Sequence, residues 1–339
     1  MKQQRELSIN ELKKIHLCDC SYLTKGIDIL LENFETANDF EDIDDSILFV
    51  PLHNEDMKSI SLYHYTNANA LLSIISSGPK KMERIKSLSL RFSRVDYMND
   101  IYDGGEIFNF IFHECLQNEL VDIKESFKQY IKEMVELYHS GIYSNTKRVS
   151  YVCSLTFDGD SLPMWRNYSS SGGGYNLKFD SRILEEHSLD GYLPEMTLIP
   201  VVYDYNVMFK IIKSLLIKLS IFWNEDNKNR FDDLLHNFIS TSKLSFKHPS
   251  FSHEQEIRLV KYGSKRIHDI NLFENFNETN AILRPYINVE IPKNALIGVT
   301  VGPLLETEAA KHLVEDAINR YVGLNSQCHV NISAAPIRF

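Results

Sequence analysis

The sequence predicts an α+β fold built on a mixed, largely antiparallel split sheet with helical insertions. Segments with strand patterns and segments with helix patterns follow one another without the regular alternation that marks doubly wound proteins. No predicted strand is followed by a glycine-rich turn into a helix, which is the phosphate-binding signature of those folds. A chain of 339 residues with 43% hydrophobic content is long enough to bury a sizeable core.

The distribution of charge predicts both the domain organisation and the classes of partner. A net charge of −10 argues against non-specific binding to nucleic acid or to anionic membrane surfaces. Residues 1–60 carry 13 acidic and 6 basic side chains, so most of the negative charge lies there. We predict an acidic helical extension over 1–60 and a single α+β domain over 61–339, with helical insertions near 105–140 and 207–240.

Cysteine usage and hydropathy predict a soluble cytoplasmic protein without a metal site. Five cysteines, an odd number, follow an N-terminus without a secretory signal. Cys18 and Cys20 form a close pair, but no second pair or histidine cluster completes a zinc site. The most apolar segment, residues 207–223, contains three lysines and is short for a membrane span, so no membrane partner is predicted.

The strand around which the other motifs are arranged is predicted at residues 61–66. It ends in His64, Tyr65 and Thr66 and leads directly into a helix that Asn67 is placed to cap. A histidine at the end of a strand, beside a helix N-terminus, is placed to hold an anionic or hydroxyl-rich ligand. For this residue taken alone, a buried structural histidine is the plainer interpretation.

Further strands and helices follow in order. Polar and apolar residues alternate over residues 87–93, which predicts a half-buried strand before the polar turn at 97–100. After a strand at 149–157, Asp160 is expected to begin a short helix on which Trp165 and Tyr168 share a face. Residues 169–174 form a serine-glycine hairpin or mobile loop. Additional strands are predicted at 175–180, 198–205, 286–291, 296–301 and 327–332, and helices at 207–223, 231–240 and 306–321.

Charged residues recur at every second position over residues 251–260. As a strand, this segment places Glu254, Glu256 and Arg258 on one face. These charges either pair with neighbours on a solvated strand edge or take part in catalysis, and the spacing alone favours the first interpretation.

The motifs taken together, in order, resemble a family. They are His64-Tyr65-Thr66, Tyr97-Met98-Asn99-Asp100, Met164-Trp165-Arg166-Asn167-Tyr168 and Glu254-Gln255-Glu256-Ile257-Arg258, followed by Gly302-Pro303. This series resembles the bacterial domain-of-unknown-function family 2971 over about residues 61–303.

The first of these motifs also resembles the His-Gly-Thr strand of ADP-ribosyltransferases of the His-Tyr-Glu type, although Tyr65 stands where those enzymes have glycine. This resemblance implies that NAD is the substrate and that His64, Tyr97 and Glu256 are catalytic, with Tyr168 as the other candidate for the tyrosine. It implies a nucleotide-binding set made of Tyr65, Thr66, Arg91, Asn99, Trp165, Tyr168, Glu254 and Arg258.

The expected function is cleavage of the nicotinamide glycosidic bond of NAD, with transfer of ADP-ribose to a protein, another acceptor or water. Such an enzyme is expected to be a bacterial toxin or an anti-phage effector. The alternative is a regulatory module that binds a nucleotide or a protein partner without catalysis. A third option, an enzyme acting on RNA ends, is disfavoured because no basic stripe is visible.

Overall fold

The computed structural model describes residues 60–76, 87–98, 110, 112–115, 123–139, 148–186, 196–224, 228, 231–232, 235, 244–264, 274–279, 282–305, 307–323 and 327–336. The predicted extension over 1–60, the Cys18–Cys20 pair and the predicted ligand-binding residue Asn99 lie outside these ranges, apart from Ile60. No helix within these ranges is both long and apolar enough to cross a membrane.

The described chain has a mixed α/β fold with a largely antiparallel open sheet and several helices. The strands are β1 (Ser61–Thr66), β2 (Ser87–Arg94), β3 (Arg148–Thr156), β4 (Tyr175–Asp180), β5 (Thr197–Pro200), β6 (Glu256–Ser264), β7 (Asn275–Thr279), β8 (Ile282–Pro292), β9 (Leu296–Val301) and β10 (His329–Ile332). The helices are α1 (Ala68–Ser76), α2 (Glu125–His139), α3 (Leu162–Tyr168), α4 (Ser181–Glu186), α5 (Tyr205–Phe222) and α6 (Thr307–Tyr321).

The chain divides into two compact units. The first includes Met98–Lys147 and Ile199–Ser252, and the second consists of Pro51–Tyr97, Arg148–Leu198 and His253–Phe339. The two segments predicted as helical insertions therefore fall in the first unit. The predicted single domain over 61–339 stays a prediction.

The first unit is built on an aromatic core. Trp223 stacks on Tyr130 of α2, with 4.3 Å between ring centroids and 23° between the ring planes. Phe127 and Phe231 pack against the same indole at 5.4 and 5.2 Å. Helix α5 begins at a strong cap, because the carboxylate of Asp204 accepts hydrogen bonds from the first backbone N–H groups.

The second unit is organised by the sheet, in the order β10-β9-β4-β1-β3-β2-β8-β7, with β6 on the other edge of β3. Strand β9 pairs with β10 in parallel, and the pairs β1–β3, β1–β4, β2–β3, β2–β8, β3–β6, β4–β9 and β7–β8 are antiparallel. Strand β2 confirms the predicted alternation, since Leu88, Leu90 and Phe92 are fully buried and Arg91 is exposed. Helix α1 is capped as predicted, because the Asn67 side chain accepts the N–H of Ala70 at 2.9 Å.

Two local predictions are corrected by the structure. Residues Pro249–Glu254 form a 3₁₀ helix and the strand begins only at Glu256, so Glu254 does not share a strand face with Glu256 and Arg258. The cause is Gln255, whose φ of +43° turns the chain between the two elements. The cap residue of α3 is Ser161 and not Asp160, which holds other partners.

Candidate active site

The site lies where strands β1 and β2 diverge beside the central strand β3. Strand β6 pairs with the whole length of β3 along one edge, so β1 and β2 must share the other edge. Tyr63 pairs with Thr156 near one end, and Ser93 pairs with Val152 further along. Since both strands cannot occupy the edge at Cys153–Leu155, they separate there. We call this place the divergence.

The register assigns side chains to the two faces of the sheet. Directly paired residues of antiparallel strands project from the same face, and alternate residues of a strand return to it. One face is therefore defined by four pairs. Thr156 pairs with Tyr63 and with Glu256, Ser154 pairs with Arg258, and Val152 pairs with Ser93. The members of this face at the divergence are Tyr63, Arg91, Ser154, Glu256 and Arg258.

Ser154 shows that this face is open at the divergence. It lies in the middle of the central strand and is exposed, as one face of an antiparallel sheet is able to be. Arg91, level with it on β2, is exposed as well. The divergence thus exposes a polar groove, which we define by Tyr63, His64, Arg91 and Ser154.

His64 reaches the groove through the gap between the strands. Its position on β1 would direct it to the opposite face, but its Nδ1 lies 3.0 Å from the backbone oxygen of Ser154. Because a carbonyl oxygen only accepts, Nδ1 carries the proton and Nε2 keeps its lone pair. Burial lowers the pKa of His64 below its ordinary value, so the ring is neutral at pH 7. A neutral Nε2 is able to accept a hydrogen bond from a hydroxyl group.

Glu256 and Arg258 form a buried ion pair. Arg258 Nε lies 3.1 Å from Glu256 Oε1, and Nη2 lies 3.4 Å from Oε2. Their side chains are 4% and 0% exposed, respectively. These two hydrogen bonds from the guanidinium hold the carboxylate in a fixed orientation. They also engage Arg258, which belongs to the nucleotide-binding set that the transferase resemblance implies.

A second buried carboxylate lies beside this pair in sequence. Tyr168 donates a hydrogen bond from its hydroxyl to Glu254 Oε1 at 2.7 Å. The Tyr168 ring is 46% exposed, whereas Glu254 is buried. The left-handed Gln255 separates the two glutamates, and its backbone oxygen accepts the N–H of Phe157. A non-glycine residue in this conformation costs about 1 kcal/mol or more, so surrounding contacts must maintain the turn.

The two tyrosines considered for catalysis lie in different places. Tyr97 is 47% exposed, and its ring lies 5.3 Å from the guanidinium of Arg94. Arg94 is level with Tyr151 on β3, whereas Glu256 is level with Thr156. Five residues of strand separate those levels, roughly 17 Å. Tyr168 instead contacts Glu254, which precedes Glu256 by two residues in the chain.

Tyr65 and Trp165 belong to a packed cluster that flanks the groove. Their rings meet edge to face with centroids 4.8 Å apart, and Trp165 is fully buried. The Tyr65 hydroxyl accepts the N–H of Ser161 and donates to the backbone oxygen of Asp158. Its bulk, where the transferases have glycine, supports the loop between β3 and α3. Burial raises the pKa of Tyr65, so it remains protonated.

Asp160 ties this cluster to the C-terminal residues. It accepts a hydrogen bond from Trp165 Nε1 at 2.7 Å and one from the N–H of Ala334 at 2.8 Å. The Ser333 hydroxyl donates to the same carboxylate, and Ala335 packs against the cluster. Trp165 was predicted to belong to the nucleotide-binding set, and in this structure its ring is enclosed by protein.

The serine-glycine segment is a tight turn packed against β9. Ser170, Ser171 and Gly172 are all left-handed. The turn is fixed because the backbone oxygens of Gly172 and Gly174 accept the N–H groups of Leu304 and Gly302. A Cβ on Gly174 would lie under 3.0 Å from the backbone oxygen of Thr66, a distance that real Cβ atoms essentially never show. Thr66 itself is buried.

Comparison with known proteins identifies one family. The model of a family described as "Protein of unknown function (DUF2971)" matches residues 164–259. This match confirms the predicted family resemblance. The matched segment begins in α3, ends in β6 and contains Trp165, Tyr168, Glu254, Glu256 and Arg258. No curated protein and no solved structure matches the chain.

Sequence reasoning missed two residues of the open face. Ser154 had a signal, because serine alternates with apolar residues in β3, but the divergence that exposes it depends on pairing between distant strands. No sequence signal pointed to Tyr286. It belongs to this face because the guanidinium of Arg91 lies 4.3 Å from the centre of the Tyr286 ring. The roles predicted for the other site residues stay predictions.

Proposed function

We propose that this DUF2971 protein is an NAD-consuming enzyme of the ADP-ribosyltransferase type, which breaks the nicotinamide glycosidic bond and gives ADP-ribose to an acceptor or to water. The observation that carries the proposal is the open groove at the divergence, with a neutral histidine at its edge and a fixed carboxylate on the same face. The diverging strands also fit the split sheet expected of a transferase-like fold.

The residues present suit this chemistry. Loss of neutral nicotinamide leaves positive charge on the ribose, in an oxocarbenium-like transition state. The Glu256 carboxylate, held by Arg258, would stabilise that charge electrostatically without reorganising. The lone pair of His64 Nε2 would accept a hydrogen bond from a ribose hydroxyl. Tyr168 lies beside Glu254 and would line the nicotinamide end of the site.

A second candidate function is a regulatory module that binds a nucleotide or a partner without catalysis. One observation favours it: the Glu256 carboxylate is already neutralised by a buried arginine and is only 4% exposed. A catalytic carboxylate must reach the substrate, so this pair would have to open or be approached directly. On this alternative, ligand binds in the groove and NAD remains intact.

The experiment measures nicotinamide release from NAD by the whole chain, compared with His64→Asn. Release by the wild type, at least tenfold slower in the variant, would support the enzyme. Glu256→Gln alone removes a charge partner of the buried Arg258 and endangers folding. The double variant Glu256→Gln/Arg258→Gln therefore tests the carboxylate, with circular dichroism as the check on folding. Calorimetric binding of ADP-ribose without any nicotinamide release would exclude the enzyme and favour the binding module.

A toxin or anti-phage role follows if the enzyme acts on the cellular NAD pool. Induced expression in a bacterial host would then lower NAD and slow growth, and His64→Asn would restore both. Unchanged NAD in cells that contain the folded protein would refute this role.

A further inference from the structure

The open face of the sheet continues beyond the divergence onto β2 and β8. Ser93 pairs with Tyr286 and Arg91 pairs with Asn288, so these four side chains project from the same face as Ser154. Arg91, Asn288 and Ser154 are exposed, and Tyr286 is half-buried. The buried apolar side chains of β2 and β8, such as Leu90 and Val289, project from the opposite face.

Arg91 is oriented on this face by an aromatic ring. Its guanidinium lies 4.3 Å from the centre of the Tyr286 ring, within cation–π distance. A guanidinium oriented in this way loses less freedom when it forms paired hydrogen bonds to phosphate oxygens. Arg258 is fully buried and forked onto Glu256, so Arg91 is the better placed of the two arginines to meet an anion at the groove.

We propose that Arg91, Tyr286 and Asn288 form a binding site for the adenosine diphosphate part of a dinucleotide. Arg91 would bind the phosphates. The exposed amide of Asn288, directly opposite Arg91, offers both a donor and an acceptor for the ribose or base of the adenosine. The proposal rests on the proposed function, because it extends the same groove away from Glu256.

The separation of these residues along the sheet fits a ligand with two nucleoside halves. Glu256 is level with Thr156, and Tyr286 is level with Val152, four residues further along β3. The two side chains are also three strands apart. With about 3.4 Å per residue and about 4.8 Å per strand, roughly 20 Å separates them. A mononucleotide bound at Glu256 would not extend to Tyr286, whereas an extended dinucleotide would.

Among the described residues, one acidic side chain lies near this site and another binds the neighbouring Arg94. Glu290 follows Asn288 on the same face of β8, and its carboxylate accepts a hydrogen bond from Ser87 at 3.0 Å. Glu274 accepts hydrogen bonds from Arg94 and Tyr151. Because Arg94 follows Ser93, it projects from the opposite face and does not compete with Arg91 for the ligand.

The test is calorimetric titration of ADP-ribose into the wild type, Arg91→Met, Tyr286→Leu and a matched control. Arg320→Met is the control, because Arg320 is also exposed and also lies over a tyrosine, at 5.7 Å, but on helix α6. We expect Arg91→Met to weaken ADP-ribose binding by about ten- to a hundredfold, as for a lost charge-assisted contact. Tyr286→Leu should weaken it by about two- to fivefold and Arg320→Met by less than about twofold.

A second arm compares nicotinamide riboside, which has no phosphate, with ADP-ribose. The proposal expects Arg91→Met to leave binding of the riboside nearly unchanged. Equal affinities of Arg91→Met and Arg320→Met for ADP-ribose, or no binding of ADP-ribose by the wild type, would overturn it. If ADP-ribose binds through Arg91 but NAD is not cleaved, the proposed enzyme fails and this site stands. If NAD is cleaved with the same KM in Arg91→Met, the enzyme stands and this site fails.

Discussion

Substitution of Glu256 by Gln tests whether the buried ion pair controls the stability of the second unit. The change keeps the shape of the side chain but removes a charge partner of the Arg258 cation, which is fully buried. Removing one member of a buried pair costs about 3–5 kcal/mol, because the remaining charge stays desolvated. We therefore expect the urea midpoint of unfolding to fall by on the order of 1–2 M.

The assay follows tryptophan fluorescence during urea unfolding in a Trp223→Phe background. The chain has two tryptophans, and Trp223 lies in the first unit, so the remaining Trp165 reports unfolding of the second unit. The double variant Glu256→Gln/Arg258→Gln removes both charges. Its loss of unfolding free energy should therefore be smaller than the sum of the losses in the two single variants, by at least about 1 kcal/mol.

The control is Glu315→Gln on helix α6. Glu315 lies 3.9 Å from Lys311, and the two side chains are 38% and 32% exposed. Solvent screens such a pair, so the loss should stay below about 0.5 kcal/mol. A loss below about 1 kcal/mol for Glu256→Gln, or strictly additive effects of the two buried substitutions, would refute the reasoning.

Two further predictions concern the sheet around the site. Gly174→Ala should lower the free energy of unfolding by about 1–3 kcal/mol, because its Cβ would collide with backbone. Gly173→Ala should cost less than about 1 kcal/mol, since its nearest neighbour would be 3.5 Å away. Equal losses in urea titrations of the two variants would contradict this. His64 has a lowered pKa when folded, so its contribution to stability is present above pH about 6.5 and is lost as the pH falls. The Tm of the wild type should thus fall more than that of His64→Asn between pH 7 and 5, and parallel pH profiles would argue against this coupling.

Local patterns determined much of the fold, and they could be read from the sequence. Strand β2 shows why: burial of Leu88, Leu90 and Phe92 on one face follows directly from alternation along the chain. Strand β9 begins and ends at the predicted residues, Leu296 and Val301. Such features depend on near neighbours in the sequence, so one chain is enough to predict them.

The arrangement of the site depends on contacts that sequence patterns do not encode. The left-handed conformation of Gln255 places Glu254 outside the strand, and the residue type of glutamine does not predict this conformation. Trp165 and Tyr168 lie three residues apart, yet one is fully buried and the other is nearly half exposed. The difference arises partly because Asp160 and the C-terminal residues enclose the indole. The strand pairing that opens the groove at Ser154 is equally non-local.

The contacts of Asp160 also determine when this region is able to fold during synthesis. Its partner Ala334 lies 174 residues later in the chain. Strand β4 likewise pairs with β9 (Leu296–Val301), which is synthesised much later. Since the ribosome adds about 5–20 residues per second, helix α3 and its strand remain incompletely packed for roughly 10–30 s after they emerge. The contacts around Trp165 are therefore complete only after Ala334 has been synthesised, and a chain terminated before that residue would lack them.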